Sequence, residues 1–292
     1  MKKRSISGVI FDSFNAIFML IVFIVMLYPF VYVFNYSISN PVLIRNSPLL
    51  LPVGFNLTSY AILLRDPSIY HALFISVSRS ILGPATMIIV CGMAGYALSK
   101  KGLVFGRFFR WMVFFTMYFS AGLIPVYLLI RDLNLLNSYW VYIIPLIVNV
   151  FSIVLIGTYI ESLPASMEEA ALIDGANEFQ VFWRIIFPVC LPVNAAVILF
   201  SAIGHWNDFI STQLYNAMSP HLYTMQYILF TTMARQLVRS LEEAMRATQG
   251  IRVTGQSLNM AITVITIIPV LCVYPFLQRY FVSGLMIGSV KA

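Results

Sequence analysis

Long runs without any charged residue constrain this chain more than any other feature of its sequence. Six uncharged windows are long enough to cross a bilayer core, which needs roughly 20 mostly apolar residues per helix. They cover residues 13–44, 80–99, 111–130, 133–160, 185–207 and 253–278. Only 10% of the residues are charged, whereas soluble domains carry about 25%. The sequence therefore predicts an all-α integral membrane protein with six transmembrane helices.

Two windows need comment. The second span is predicted to begin before residue 80, near His71, with Arg79 facing protein or water and not lipid. A seventh uncharged window, residues 209–234, holds many polar side chains that would be costly in lipid. We interpret it as an outer-face or re-entrant segment, and both alternatives stay open.

The positions of lysine and arginine predict the orientation in the membrane, because cytoplasmic loops carry an excess of both. With the amino terminus inside, the inner segments hold Lys2, Lys3, Arg4, Lys100, Lys101, Arg107, Arg110, Arg184, Arg279 and Lys291. The outer segments hold Arg45, Arg65, Arg131, Arg235, Arg239, Arg246 and Arg252. Both termini are thus predicted to be cytoplasmic. Orientation in a membrane also explains the net charge of +7 without a nucleic-acid partner.

Two outer segments are large. Residues 36–70 contain four prolines and are predicted to be extended more than helical. Residues 212–254 contain a polar helix candidate around 235–249. Either a docking face for an extracytoplasmic partner or a solvated lid accounts for surfaces of this size.

The loop between the fourth and fifth spans concentrates negative charge. Five of the eleven acidic residues lie between residues 161 and 178, and no lysine or arginine occurs from Asp132 to Trp183. Ser166 followed three residues later by Glu169 is a capping-box pattern, which predicts a helix beginning near Met167. By the orientation above, this acidic segment lies in the cytoplasm.

A glycine turn follows this helix. Asp174-Gly175 is predicted to end it, since glycine turns out of a helix with positive φ at little cost. Asn177 with Gln180 three positions on repeats the capping pattern and predicts a second helix. The sequence predicts two short helices that meet at a glycine.

The residues of this segment, and their spacing, resemble a motif of a known protein family. Glu169-Ala170-Ala171, Gly175, Ile185 and Phe187-Pro188 stand at the spacing of the EAA loop in permease subunits of ABC importers, with Phe187 where leucine is usual. Asp174, Ala176, Pro192 and residues 278–291 resemble the carbohydrate-uptake branch, including the smaller permease of the maltose system and permeases of alginate-like polysaccharide importers.

The resemblance implies a type I ABC importer fold with a cytoplasmic EAA coupling helix between spans four and five. It implies three regions: residues 1–70 with the first span and outer loop, 71–281 with the transmembrane core and the EAA loop at 164–188, and a cytoplasmic tail at 282–292. The residues implied to couple to an ATPase are Glu168, Glu169, Ala170, Ala171, Asp174, Gly175 and Ala176.

The resemblance also implies the partners. These are a second homologous permease forming a heterodimer, two ATP-binding subunits, an extracytoplasmic solute-binding protein and the bilayer. The implied location is the bacterial cytoplasmic membrane, with ATP and Mg²⁺ bound by the partner subunits and no cofactor bound by this chain.

Sequence signatures of catalysis are missing. The chain has no phosphate-binding G-x-x-x-x-G-K-[ST] loop, no H-E-x-x-H and no G-x-S-x-G. His205, Asp208 and Ser211 are too isolated to suggest a triad, and His205 is interpreted as a core or pore-lining residue. We expect no metal site and no enzyme activity, and we expect Cys91, Cys190 and Cys272 to be buried free thiols.

The substrate is less constrained. Side chains that a sugar could contact along the pathway are Arg79, Tyr142, Asn149, Tyr159, Trp206, Asn207, Asp208 and Tyr215. The excess of arginine in the outer half favours an acidic oligosaccharide or polysaccharide, such as a uronate polymer, through a positive entrance potential. Neutral oligosaccharides remain an alternative substrate.

Two other classes of membrane protein compete with an ABC importer permease: an ion-coupled secondary carrier and a membrane enzyme. Ionisable residues well inside the spans, which a secondary carrier usually shows, are few here.

Overall fold

The computed structural model describes residues 6–40, 43–44, 49–245 and 255–289. Within these residues the regular structure is helical, apart from an isolated bridge between Ser39 and Phe55. The α-helices are α1 (Ile6–Ser37), α2 (Thr58–Leu63), α3 (Pro67–Ser99), α4 (Gly106–Tyr118), α5 (Leu123–Asp132), α6 (Val150–Glu161), α7 (Ser166–Ile173), α8 (Glu178–Val181), α9 (Phe187–Val189), α10 (Leu191–Asn207), α11 (Ile210–Tyr215), α12 (Met225–Met245) and α13 (Gly255–Ser289). The predicted all-α class is confirmed.

The chain divides into two compact units, and the first comprises Met1–Asp66 and Thr231–Ile268. Its helix α1 presents apolar side chains along most of its length, with none of its membrane-length window buried. The end of α1 is polar and buried: the Asn35 amide donates to the Leu49 carbonyl at 3.1 Å, and the Ser37 and Tyr60 hydroxyls lie 2.7 Å apart. Helix α1 ends here, at Ser37, before the end of the uncharged window at residue 44.

The second unit comprises Pro67–Phe230 and Pro269–Ala292, and its core is formed by α3, α6 and α10. Helix α3 starts at Pro67, which confirms that this span begins earlier than the uncharged window. Helices α3 and α6 touch backbone to backbone: a Cβ on Gly95 would lie 3.1 Å from the Gly157 nitrogen and 3.1 Å from the Ile153 carbonyl oxygen. Small residues at this crossing therefore bring the two helices together.

Three of the predicted spans are single long helices, and the other three are broken. Single apolar helices cover Ile10–Ser37, Pro67–Ser99 and Gly255–Val273. Windows 111–130, 133–160 and 185–207 instead correspond to helix pairs bent by 112°, 44° and 79°. The described chain thus has three helices of spanning length and composition, or up to six if each bent pair is one span. The count of six stays a prediction.

Local chemistry explains the breaks. Gly122 between α4 and α5 has φ +86°, a conformation that a side chain would strain. Asn149 caps α6, accepting a hydrogen bond from the Ser152 amide at 2.9 Å. Pro192 stands in the first turn of α10, where its missing N–H ends the preceding helical ladder at Cys190.

The polar window at residues 209–234 folds as α11, a 3₁₀ turn (Pro220–Leu222) and the first part of α12. Several of its buried polar groups are paired within the second unit. The Thr212 and Tyr142 hydroxyls lie 3.0 Å apart, and the Asn216 amide donates to the Ser138 carbonyl at 3.2 Å. This pairing is the physical reason why so polar a segment can be buried. Whether it is re-entrant or on the surface stays a prediction.

The predictions for the polar helix, the first outer loop and the cysteines have different outcomes. The polar helix candidate at 235–249 is helical as far as Met245, and residues 246–254 lie outside the described part. The outer loop predicted to be extended includes the short helix α2. Cys91 and Cys190 are buried free thiols as expected, but the prediction for Cys272 is wrong, because it is exposed. Cys272 lies between exposed Leu271 and Val273 on an unpacked stretch of α13.

Candidate functional site

The acidic segment folds as two short helices joined by a glycine turn, and we call residues 164–188 the elbow. The first helix, α7, ends in a glycine turn: Gly175 has φ +84°, its N–H donates to Leu172 and the Ala176 N–H donates to Ala171. This is the Schellman arrangement, which satisfies the last carbonyls of a helix. The predicted turn at Gly175 is confirmed.

The two predicted capping boxes have different outcomes. Asn177 and Gln180 form one at the start of α8, with reciprocal hydrogen bonds of 2.9 and 3.0 Å. The box predicted for Ser166 and Glu169 is wrong, because α7 begins at Ser166 without a side-chain cap. The carbonyls of Pro164 and Ala165 already accept from the amides of residues 167–169, so these amides need no side-chain partner.

One side of the elbow is attached to the end of α3 by a cluster of charges. Lys100 forms ion pairs with Glu168 of α7 and with Glu178 of α8, the latter at 2.7 Å. The Tyr96 hydroxyl donates to Glu178 at 2.6 Å, and a Glu168 carboxylate oxygen lies 3.3 Å from the same hydroxyl. The Lys100 ammonium also lies 4.3 Å from the centre of the Tyr96 ring. We call these four residues the Lys100 cluster.

Apolar packing strengthens the same attachment. The buried side chains of Val181, Phe182 and Ile186 belong to a core that includes Tyr96, whose ring centre lies 5.5 Å from that of Phe182. Residues Phe182–Ile186 form a π-helical turn, a feature often found at functional sites. Within the second unit, the elbow is therefore fixed to α3 by both charge and apolar burial.

The opposite side of the elbow is open. Glu169, Ala170, Asp174 and Gly175 are exposed, and Ile173 is 84% exposed at the tip. Among the other predicted coupling residues, Ala171 is buried in the core, Ala176 packs against it and Glu168 belongs to the Lys100 cluster. The predicted set thus divides into an attached face and a free face.

Sequence reasoning missed Tyr96 and Lys100 as members of this site. Tyr96 lies 72 and 82 residues from its two glutamate partners, so no local pattern links them. One signal was present: a segment with five acids and no lysine or arginine of its own must find its cation elsewhere. The predicted cytoplasmic loop after α3 supplies Lys100.

Glu178 makes this attachment sensitive to acid. The hydrogen bonds from Lys100 and then from Tyr96 lower the pKa of the Glu178 carboxyl, against the opposing effect of partial burial. A carboxyl with a lowered pKa contributes stability above its unfolded pKa and loses that contribution as pH falls through its folded pKa. We expect Glu178→Gln to reduce the melting temperature near neutral pH and to have no effect in acid. Thermal melting in detergent at several pH values measures this, and exposed Glu169→Gln is the control.

A second charged cluster joins α3 to the end of α10. Arg79 is fully buried and donates to the Asp208 carbonyl, its Nη1 lies 3.6 Å from the Asp208 carboxylate, and its guanidinium lies 5.0 Å from the Tyr142 ring centre. The Tyr142 hydroxyl donates to the Leu222 carbonyl at 2.8 Å. Three of the predicted pathway residues therefore meet at one point.

The remaining predicted pathway residues lie apart. Trp206 is buried, Asn207 is exposed, and Tyr215 stacks on Tyr127 with ring centres 6.1 Å apart. Tyr159 packs against the core, and Asn149 caps α6. Their role in a pathway stays a prediction. Within the described residues no group of three or more His, Cys, Asp or Glu is placed to hold a metal ion.

Known proteins resemble this chain over nearly its whole length. Residues 87–287 match the model of the family described as binding-protein-dependent transport system inner membrane component. The chain is 32% identical to the polygalacturonan/rhamnogalacturonan transport system permease protein YtcP of Bacillus subtilis, with all of both chains covered. It is 33% identical to LplC of the same organism, covering 98% of this chain and 96% of LplC.

A solved structure also resembles this chain. A chain from a bacterial ABC transporter involved in the import of the acidic polysaccharide alginate superposes with a TM-score of 0.85 and 33% identity, covering 96% of this chain and 100% of that one. This confirms the predicted permease fold. The chain belongs to the family of inner membrane components of binding-protein-dependent transport systems, which are the permease subunits of ABC importers.

Proposed function

We propose that this chain forms half of the translocation pathway for an acidic oligosaccharide or polysaccharide in an ATP-driven importer. Two similar permeases are named for polygalacturonan, a uronate polymer, and for the acidic polysaccharide alginate. The arginine-rich outer segments fit such a substrate, because a positive entrance concentrates anions. An extracytoplasmic binding protein delivers the saccharide.

The elbow is the observation that supports our proposal that ATP drives this transport. One of its faces is attached to α3 by the Lys100 cluster, and its other face, with Glu169 and Ile173 exposed, is available to a partner. A rigid projection of this kind fits a cleft in a cytoplasmic ATP-binding subunit. Closure of two such subunits around ATP and Mg²⁺ would then tilt the elbow and the helices attached to it, changing which side of the membrane the pathway faces.

The remaining parts of the proposal follow from the family. The partner permease is a second, homologous chain, and the site of action is the bacterial cytoplasmic membrane with both termini and the elbow in the cytoplasm. The lysine and arginine distribution supports this orientation.

Transport by the purified importer tests the function. The permease is isolated with the proteins that accompany it, reconstituted in vesicles with ATP inside, and supplied with its binding protein and labelled oligosaccharides of alginate or galacturonate. We expect ATP-dependent uptake of at least one uronate. Uptake of neutral arabino-oligosaccharides alone would show that the substrate is neutral and not acidic, in keeping with the 28% identity to one arabinooligosaccharide transport system permease protein, AraQ of Halalkalibacterium halodurans. Uptake driven by an ion gradient without ATP would contradict the proposal that this chain belongs to an ATP-driven importer.

Gly175 tests the coupling. A Cβ added here would meet no atom within 4 Å, so we expect a substitution to act mainly through backbone strain at φ +84°. We expect Gly175→Val to uncouple transport from ATP hydrolysis, because a left-handed conformation costs about 1–2 kcal/mol for ordinary residues and more for β-branched ones. Gly175→Asn is the matched control, since asparagine tolerates this conformation. Equal transport by both variants would show that the turn does not matter for coupling.

A further inference from the structure

A cavity of about 140 Å³ lies between α3, α4 and α6 in the second unit, near the C-terminal ends of α3 and α6. Its floor is formed by the buried residues Ile153 and Gly157. Its mouth is open, since Thr158 and Glu161 are exposed and Phe114 is 41% exposed. A space of this size accepts a small polar group but not a large ligand.

The lining of this cavity changes from polar to apolar along its length. On α6, one face presents Val154, Thr158 and Glu161 on successive turns, so its polarity rises toward the end of the helix. On α4 the order is Arg110 and then Phe114, so its polarity falls away from the start of the helix. Helix α4 begins just after the end of α3, and α6 ends just before the elbow, which is attached to that same end of α3. The polar ends of the two faces therefore coincide.

Two opposite charges line the polar end without pairing. Arg110 donates to the Leu98 carbonyl at 2.9 Å, one of the last carbonyls of α3. Glu161 is the last residue of α6, at the negative end of that helix dipole, where a cation is favoured. Neither side chain forms an ion pair with a residue that the structure describes. Since a guanidinium has five N–H donors, Arg110 keeps several for an anion.

Helix α4 carries the features of a membrane–water interface. Trp111, next to Arg110, is 67% exposed, and tryptophan is enriched where the head groups of a bilayer meet water. Farther along the helix Phe115 and Met117 are 66% and 47% exposed. An exposed helix with a charged start and an apolar remainder fits the boundary between head groups and acyl chains. The cavity therefore opens where a phospholipid changes from polar to apolar.

The charges of the cavity favour one kind of phospholipid. Guanidinium groups bind phosphate strongly, often through two hydrogen bonds. The carboxylate of Glu161 matches an ammonium group, and it would repel a head group with a net negative charge. Within the described chain, Arg110 and Glu161 are the charged side chains that line the cavity. The set thus matches a head group with one positive and one negative charge.

We propose that this cavity binds the head group of one phosphatidylethanolamine molecule. Arg110 binds the phosphate, Glu161 binds the ammonium, and the acyl chains leave the cavity past Phe114 and Val154. The bound lipid fills the space between α4 and the pair α3 and α6, and so stabilises the position of α4. This inference goes beyond the proposed function, which supplies only the leaflet: the head group lies in the one that faces the cytoplasm.

Native mass spectrometry of the full importer tests this binding. The complex is delipidated in detergent, supplied with equal amounts of phosphatidylethanolamine and phosphatidylglycerol, and its bound lipids are identified. We expect wild type to prefer phosphatidylethanolamine, and Arg110→Gln to lower the fraction of complexes that carry it about tenfold, because an ionic hydrogen bond is lost. Arg107→Gln is the matched control, since Arg107 is an exposed arginine of the same helix outside the cavity. We expect it to behave as wild type.

Reversing the charge of Glu161 is a sharper test, because it changes the preferred lipid. Glu161 is exposed, so Glu161→Lys leaves the packing of α6 unchanged and places two cations at the cavity. We expect this variant to lose phosphatidylethanolamine and to retain phosphatidylglycerol instead. Melting temperatures measured with each lipid added should reverse in the same order. A misfolded variant would lose both lipids, and a reversal cannot arise in that way.

The same lipid preference in wild type and Glu161→Lys would overturn the lipid site. The other candidate occupant is the second permease: efficient disulfide cross-linking of a Thr158→Cys variant to single cysteines in that chain would also overturn it. Saccharide uptake is measured separately, and lipid binding is read without ATP or saccharide. Failure of uptake with the lipid reversal intact would overturn the proposed function and leave the lipid site standing.

Discussion

Gly95→Leu is expected to prevent this permease from assembling into a stable complex. Even a Cβ at this position would lie 3.1 Å from two backbone atoms of α6, and backbone atoms cannot move aside as a flexible side chain can. Overpacking of a well-packed interior costs about 1–3 kcal/mol, occasionally more. A whole leucine side chain must therefore force α3 and α6 apart. Fluorescence-detected size exclusion of the detergent-solubilised complex measures the outcome.

The size of the substituent and its position provide the controls. Gly95→Ala should assemble but melt at a lower temperature, because one carbon can be accommodated by a small shift of the helices. A Cβ added at Gly102 would meet no atom within 4 Å, so Gly102→Leu should behave as wild type. A Gly95→Leu protein that assembles and melts like wild type would show that the close crossing of α3 and α6 is not needed.

Lys100→Glu is the second substitution with a large expected effect, and it acts on coupling more than on folding. It replaces the cation between Glu168 and Glu178 with a third carboxylate beside Tyr96. The elbow then loses its charged attachment to α3 and is repelled from it. We expect ATP-dependent uptake to fall at least tenfold, equivalent to ~1.4 kcal/mol, while binding-protein-independent ATP hydrolysis persists.

Lys101 provides the matched control for this change. It neighbours Lys100, is exposed and makes no ion pair to any described residue, so Lys101→Glu alters net charge equally without touching the cluster. Lys100→Glu combined with Glu168→Lys should recover part of the lost uptake, because it restores one opposite-charge pair and relieves the repulsion. Uptake reduced equally by the Lys100 and Lys101 substitutions would assign the effect to general surface charge.

Much of the elbow could be predicted because its causes are local. The Asn177–Gln180 capping box and the turn at Gly175 depend on residues within a few positions of one another, and both formed as expected. The capping box predicted at Ser166 did not form, because a local pattern does not show whether other groups already satisfy the amides. A capping pattern states what a side chain can do, and the carbonyls of Pro164 and Ala165 had already satisfied those amides.

The breaks in the spans and the polar clusters could not be predicted in this way. An uncharged window reports only the composition of a segment. It therefore does not reveal a bend such as the 112° between α4 and α5. The buried position of Arg79 was expected in outline, yet its contacts with Asp208 and Tyr142 depend on helices far apart in the chain. The same holds for the close contact of the His205 ring with Gly83, which depends on the packing of α3 against α10.

By itself the sequence determined that this chain belongs in a bilayer and that it carries one acidic, glycine-hinged pair of helices between two apolar runs. Both properties depend on nearest neighbours, since hydrophobic length and helix capping are local. The tertiary structure decided that the elbow is attached to α3 through Lys100 and Tyr96, and that Arg79, Asp208 and Tyr142 meet at one point. Those properties depend on which side chains meet after the spans pack, and sequence separations of 72 and 82 residues hold no local trace of it.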